Sequence, residues 1–158
     1  MPLWRIYHEE SVFTDAQKSS LANTITKLYT DIHMPAFYVN VLFIPLPASS
    51  VYVGGKPQPQ PNKKFVRFTI EQIARSFKND EVKLIWMEKI DKALAPHLKE
   101  RGDLTWEYHI VETERMLWKI DSIIPPGNDT LAEERWNREG KASEWAVEEN
   151  VRSKRSKL

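Results

Sequence analysis

The sequence contains no cysteine. That excludes disulfides and thiolate metal sites and suits a reducing compartment. The histidines, His8, His33, His97 and His109, are scattered without ligand spacing, so no metal site is expected. Long apolar runs are also missing. The longest, residues 37–46, is broken by Asn40 and Pro45 and falls well short of the roughly 20 residues a membrane span needs. The start lacks a basic region followed by an apolar stretch, so no signal peptide is expected. An excess of one charge is absent too. With 23 basic and 22 acidic residues the formal net charge is +1, which gives no general attraction to nucleic acid or membrane. At 158 residues, one domain with a proper core is expected.

What the chain does have begins at its start. Pro2 follows the initiator methionine directly, and so small a side chain ordinarily permits removal of Met1. The mature chain would then begin with a secondary amine. An α-amino group titrates near neutrality, at about 7.7–8.0. A prolyl amine is more basic, but burial and nearby cations disfavour its charged form. Such an amine can serve as a general base or as a nucleophile toward a carbonyl. Residues 3–7 alternate in the manner of a strand that would hold Pro2 rigidly.

Thr14 and Gln17 have the spacing of a capping box, and Leu21, Ile25, Leu28 and Ile32 form one stripe of the helix it opens, which ends before Pro35. Residues 37–44 read as a buried strand. Strand, helix and strand over residues 2–44 imply a right-handed crossover between parallel strands. Residues 56–64 alternate proline with polar residues and are expected as an exposed loop, without the spacing of a proline-rich ligand. A second unit follows. It has a strand from residue 65, a helix capped at Asn79 with Val82, Ile85, Trp86, Ile90, Ala93 and Leu94 as its buried stripe, a stop at Gly102, and a strand over 104–111. The expected class is α/β of the α+β type: two tandem β-α-β units in a four-stranded mixed sheet with two helices on one face. Residues 131–151, with Trp136, Trp145 and Val147 among many charges, suggest a C-terminal helical extension covering a surface or reaching a neighbouring subunit. The chain closes on Ser156, Lys157 and Leu158 behind Arg152, Lys154 and Arg155. A terminal Ser-Lys-Leu is the address read by the peroxisomal import receptor. The expected location is therefore the peroxisome in a eukaryotic source and the cytoplasm otherwise.

In sequence, several short pieces occur together. Pro2 opens a strand, Phe13-Thr14 starts the first helix, and residues 37–55 end in Val-Tyr-Val-Gly-Gly. Phe65-Val66, Arg75-Ser76, Trp106-Glu107-Tyr108 and Asn150-Val151 follow. With these pieces the chain resembles the tautomerase superfamily, in particular the group of cis-3-chloroacrylic acid dehalogenase. The resemblance implies residues 1–151 as a tautomerase-like domain and a homotrimer, which leaves residues 152–158 as the basic targeting tail. It implies proton transfer by Pro2 on a small enol or 2-oxo acid, with no cofactor. Arg75 matches a carboxylate-binding arginine, and Tyr108 matches a tyrosine that helps orient water. Departures stand beside the matches. Gln72 replaces a second arginine, Tyr29 a histidine, and Trp118 or Lys119 the water-activating glutamate, with Glu112 and Glu114 nearby in sequence. Tyr29, Gln72 and Trp118 would line the pocket, and Arg67 would stand in for the missing arginine if its side chain points there. The alternatives are a hydratase, dehalogenase or decarboxylase of small unsaturated acids, or a catalytically decayed trimeric binding or structural protein.

Overall fold

Alternation after Pro2 produces strand β1, Leu3–Glu9, whose Trp4, Ile6 and His8 are buried while Leu3, Arg5 and Tyr7 lie on the other, half-open face. The computed structural model describes residues 1–58 and 63–153. Residues 59–62 of the expected 56–64 loop and the terminal Ser156-Lys157-Leu158 lie outside the described residues.

Helix α1, Asp15–Thr30, opens at the expected capping box. Thr14 Oγ1 accepts from the Gln17 N–H at 3.2 Å, and Gln17 Oε1 accepts from the Thr14 N–H at 2.9 Å. Leu21 and Ile25 are buried as expected. Tyr29 completes the inner line, while Leu28 and Ile32 pack at its margin. Strand β2, Asn40–Leu46, then pairs parallel with β1. It begins later than expected, because residues Ala36–Tyr38 form a 3-10 turn. An unbroken apolar run does not by itself distinguish a buried turn from a buried strand. At its other end β2 runs through Pro45, which an edge strand tolerates.

A two-strand hairpin follows, β3 (Tyr52–Val53) with β4 (Lys56–Pro57). Its turn needs Gly54 and Gly55 because both adopt positive φ, 59° and 75°. Strand β5, Lys64–Gln72, lies antiparallel to β1, and β6, Leu104–Glu112, lies parallel to β5. The sheet order is thus β2-β1-β5-β6. Between β5 and β6 runs α2, Asp80–Leu94, capped by Asn79 Oδ1 accepting from the Val82 N–H at 2.9 Å. Trp86, Ile90 and Leu94 face the sheet. Val82, one turn earlier, and Ile85, to one side, are exposed, so the buried stripe is narrower than the sequence implies. Each side chain fully buried in this layer contributes about 1.5–3 kcal/mol. The opposite sheet face carries the ion pairs Arg5–Glu71 and Arg67–Glu107. Among the described residues no helix is long and apolar enough to cross a membrane.

The C-terminal helix α3, Leu131–Glu139, is shorter than the expected 131–151 stretch, because Gly140 turns the chain at φ 68°. Trp136 is fully buried against the rings of Phe37 and Tyr38, at 6.2 and 6.3 Å, and its Nε1 donates to the Ser143 carbonyl at 2.9 Å. This tryptophan therefore anchors α3 to its own subunit.

Candidate active site

Strand directions bring four chain segments to one end of the sheet. The starts of β1 and β2 and the ends of β5 and β6 all lie there, because β1 and β2 are parallel, β5 opposes β1, and β6 follows β5. Pro2 is buried at this end, and its carbonyl accepts from the Asn40 N–H at 2.9 Å. Arg75 follows β5 by three residues, Arg115 follows β6 by three, and Tyr38 closely precedes β2. Segment 126–133, leading into α3, closes the group.

Two guanidiniums face each other across Asn128, whose Oδ1 accepts from Arg75 at 2.7 Å and from Arg115 at 2.8 Å. Their remaining bonds differ. Arg75 forms a two-pronged pair with Glu133, at 3.0 and 2.8 Å, and lies 3.5 Å from the Asp129 carboxylate. Arg115 donates to the carbonyls of Ala74, at 2.7 Å, and Pro126, and its guanidinium sits 5.6 Å above the Trp118 ring. It forms no ion pair among the described residues. Burial pulls its pKa downward, with Glu133 and Tyr38 opposing and Arg75 adding to the fall.

The Met1 amine lies in this field. Burial first, then Arg115 and Arg75, push its pKa from 8.0 down to about 4, with Glu133 acting the other way. An ammonium is unwelcome at a buried spot beside two guanidiniums. The wall is aromatic. Tyr38 is fully buried, with its ring 4.9 Å from that of Trp118 in an edge-on arrangement. Neither the Tyr38 hydroxyl nor the Trp118 Nε1 has a hydrogen-bond partner among the described residues. Burial raises the Tyr38 pKa, and Glu133 adds to the rise while Arg115 and Arg75 oppose it, so the phenol stays protonated.

The structure thus brings Pro2, Arg75 and Trp118 together. Tyr29 and Gln72 form a buried layer behind them. The Tyr29 hydroxyl accepts from Trp4 Nε1 at 2.9 Å and donates to Gln72 Oε1 at 3.4 Å, and burial raises its pKa. Tyr108 instead donates to Asp91 on α2 at 2.8 Å, and Arg67 bonds Glu107 and His109 on the open sheet face. Within one subunit neither joins the Pro2 cluster. Sequence reasoning missed Tyr38, Arg115, Asn128 and Glu133. Thr130 and Glu133 do carry the spacing of a capping box, and Thr130 Oγ1 accepts from the Glu133 N–H at 3.3 Å. That signal marks a helix start and does not reveal that the carboxylate turns to Arg75.

The sequence profile of a family described as putative oxalocrotonate tautomerase enzymes matches residues 1–141. No curated protein matches the chain in sequence. Among solved structures, native RhCC from Rhodococcus jostii RHA1 is 38% identical with a TM-score of 0.83, covering 90% of this chain and 99% of that one. A probable enzyme from the thermophilic fungus Aspergillus fumigatus is 37% identical with a TM-score of 0.84, covering 92% and 98%. N1, a member of the cis-3-chloroacrylic acid dehalogenase family, shares the fold at 20% identity and a TM-score of 0.66, covering 85% and 89%.

Proposed function

This chain belongs to the tautomerase superfamily, and on that premise we propose that its amino-terminal proline moves a proton on a small enol or 2-oxo acid. Removal of Met1 would uncover the Pro2 secondary amine and open the space before it. The observation that carries this reading is geometric: buried Pro2 lies at the sheet end where Arg75 and Arg115 converge on Asn128. There burial first, and then those guanidiniums, hold the neighbouring Met1 amine down to about 4. Guanidiniums beside a prolyl amine disfavour its charged form, which favours the neutral amine that can act as a base. In the keto form, the Pro2 nitrogen takes a proton from the carbon next to the carbonyl. The C–H electrons form the C=C bond, and the carbonyl π electrons move onto oxygen, where the guanidinium field stabilises them. The proton then passes from the prolyl ammonium to that oxygen, giving the enol. The reverse sequence ketonises it.

Glu133, the carboxylate that faces the amine, is committed to Arg75. This supports proton transfer over hydration or dehalogenation, which require a carboxylate to activate water. The test is intact mass to confirm loss of Met1, then ketonisation of phenylenolpyruvate by ultraviolet absorbance. Wild type should exceed Pro2→Ala by about 100-fold or more. Equal rates would leave only a scaffold. We extend the proposal to a homotrimer, since the open sheet face with its ion pairs lies uncovered in one subunit; a monomer in sedimentation would reject it. In a eukaryotic cell, Ser156-Lys157-Leu158 would direct the protein to peroxisomes. A fluorescent fusion lacking these three residues should then remain in the cytoplasm, and unchanged punctate localisation would refute the address.

A further inference from the structure

Resting on the reading of the Pro2 site just given, we infer that Arg115 holds the substrate carboxylate and that Tyr38 donates its hydroxyl proton in a hydrogen bond to the substrate's 2-oxygen. The site would accordingly take a 2-oxo monocarboxylic acid or its enol. The two arginines are not equivalent. Arg75 is saturated by Glu133 in the geometry a substrate carboxylate would otherwise occupy. Arg115 is hydrogen-bonded only to neutral acceptors and stacked on the Trp118 ring, and although Glu133 acts on its charge from a distance, no carboxylate among the described residues pairs with it directly. One unmatched guanidinium calls for one carboxylate. A second carboxylate would meet Glu133 and Asp129.

The 2-oxygen is assigned by unmet hydrogen bonding. A buried donor without a partner costs about 1–3 kcal/mol, so it calls for an acceptor that the chain itself does not supply. Tyr38 is fully buried and its hydroxyl unpartnered among the described residues, and the same is true of the indole N–H of Trp118, whose ring it touches. Trp118 also carries the Arg115 guanidinium on its face. Carboxylate anchor and oxygen donor therefore share one wall, as the adjacent C1 and C2 of a 2-oxo acid require. A donor that keeps its proton suits an oxygen gaining negative charge while Pro2 removes the neighbouring proton.

Equilibrium binding tests this without turnover. Phenylglyoxylate is a 2-oxo acid with no enolisable proton, and phenylacetate lacks the 2-oxygen. Calorimetry with the Met1-free protein should show Tyr38→Phe binding phenylglyoxylate roughly five- to tenfold more weakly while holding phenylacetate unchanged. Arg115→Lys should weaken both ligands roughly tenfold or more. Equal losses for both ligands in Tyr38→Phe, or no loss for either, would overturn the Tyr38 assignment. Unchanged binding in Arg115→Lys would overturn the anchor. Phenylacetate also reports whether the Tyr38 variant keeps its pocket. If Pro2→Ala turns over like wild type while the selective loss in Tyr38→Phe persists, the proline chemistry fails and this assignment stands.

Discussion

Replacing Glu133 with glutamine perturbs the site's electrostatics with almost no change in shape. The Glu133 and Arg75 side chains are 3% and 15% exposed, and three N–H groups converge on the carboxylate, two from Arg75 and one from Asp129 at 2.8 Å. An amide supplies one acceptor oxygen. Its best placement keeps that oxygen toward the Asp129 N–H and Arg75 Nη2 and turns its NH2 against Arg75 Nη1. One hydrogen bond and the ion pair are then lost. Breaking a buried pair outright costs about 3–5 kcal/mol. With two hydrogen bonds kept and the Asp129 carboxylate 3.5 Å from Arg75, about 2–3 kcal/mol is expected. For a chain of this size that lowers Tm by about 5–10 °C at fixed protein concentration. The kinetic effect has a definite sign. Glu133 raises the pKa of the buried Met1 amine; acting in the same sense on the proposed Pro2 base, its removal lowers that pKa and the base stays unprotonated further into acid. The acid limb of kcat/KM for phenylenolpyruvate should move to lower pH by on the order of half a unit to one unit. The readouts are thermal unfolding followed by circular dichroism and the pH–rate profile. An unchanged Tm would show that the pair contributes nothing. A limb that stays put or moves to higher pH would refute the action of Glu133 on the proposed Pro2 base.

Other expectations concern the scaffold. His8 is buried between Phe13 and Phe43, its Nδ1 bonds the Glu9 carbonyl at 2.7 Å, and burial lowers its pKa from 6.5. The unfolded chain takes up that proton first, so stability present above about pH 6.5 is lost as pH falls below it. His8→Phe should flatten the difference in urea midpoint between pH 7.5 and pH 5, and an undiminished difference would count against the buried neutral ring. Trp136→Ala should cost about 3–5 kcal/mol in urea unfolding, because it empties the space between α3 and the Tyr38 turn; less than ~1 kcal/mol would mean α3 is not docked there. Thr14→Ala should cost about 1 kcal/mol through loss of the α1 cap, and an unchanged urea midpoint would refute that role.

The scaffold was largely legible in the sequence because its signals are local. Thr14 and Gln17 announce α1, Asn79 announces α2, and alternation from Leu3 to Glu9 sets which face of β1 is buried. The Phe37-Tyr38 pair misled for a physical reason: burial looks the same in a turn and in a strand when every neighbour is apolar. The site was only half legible. Pro2 and Arg75 were visible, but Arg115 lies in an aperiodic stretch, and Glu133 meets Arg75 across 58 residues of chain. Such a pairing has no footprint in spacing. The same holds for Arg67, whose direction depended on register. Pairing with Tyr7 and Glu107 put it on the open face.

Asn128 has a consequence that reaches beyond hydrogen bonding. One side-chain oxygen clasps both guanidiniums, so the segment ahead of α3 acts as a buckle between arginines that follow two different strands of the sheet. The tandem repeats alone could form the sheet and still leave the arginines to drift apart. The segment that docks Trp136 into the core is thus also the one that fixes the distance between the two guanidiniums, so a change there is felt by the fold and by the candidate site together.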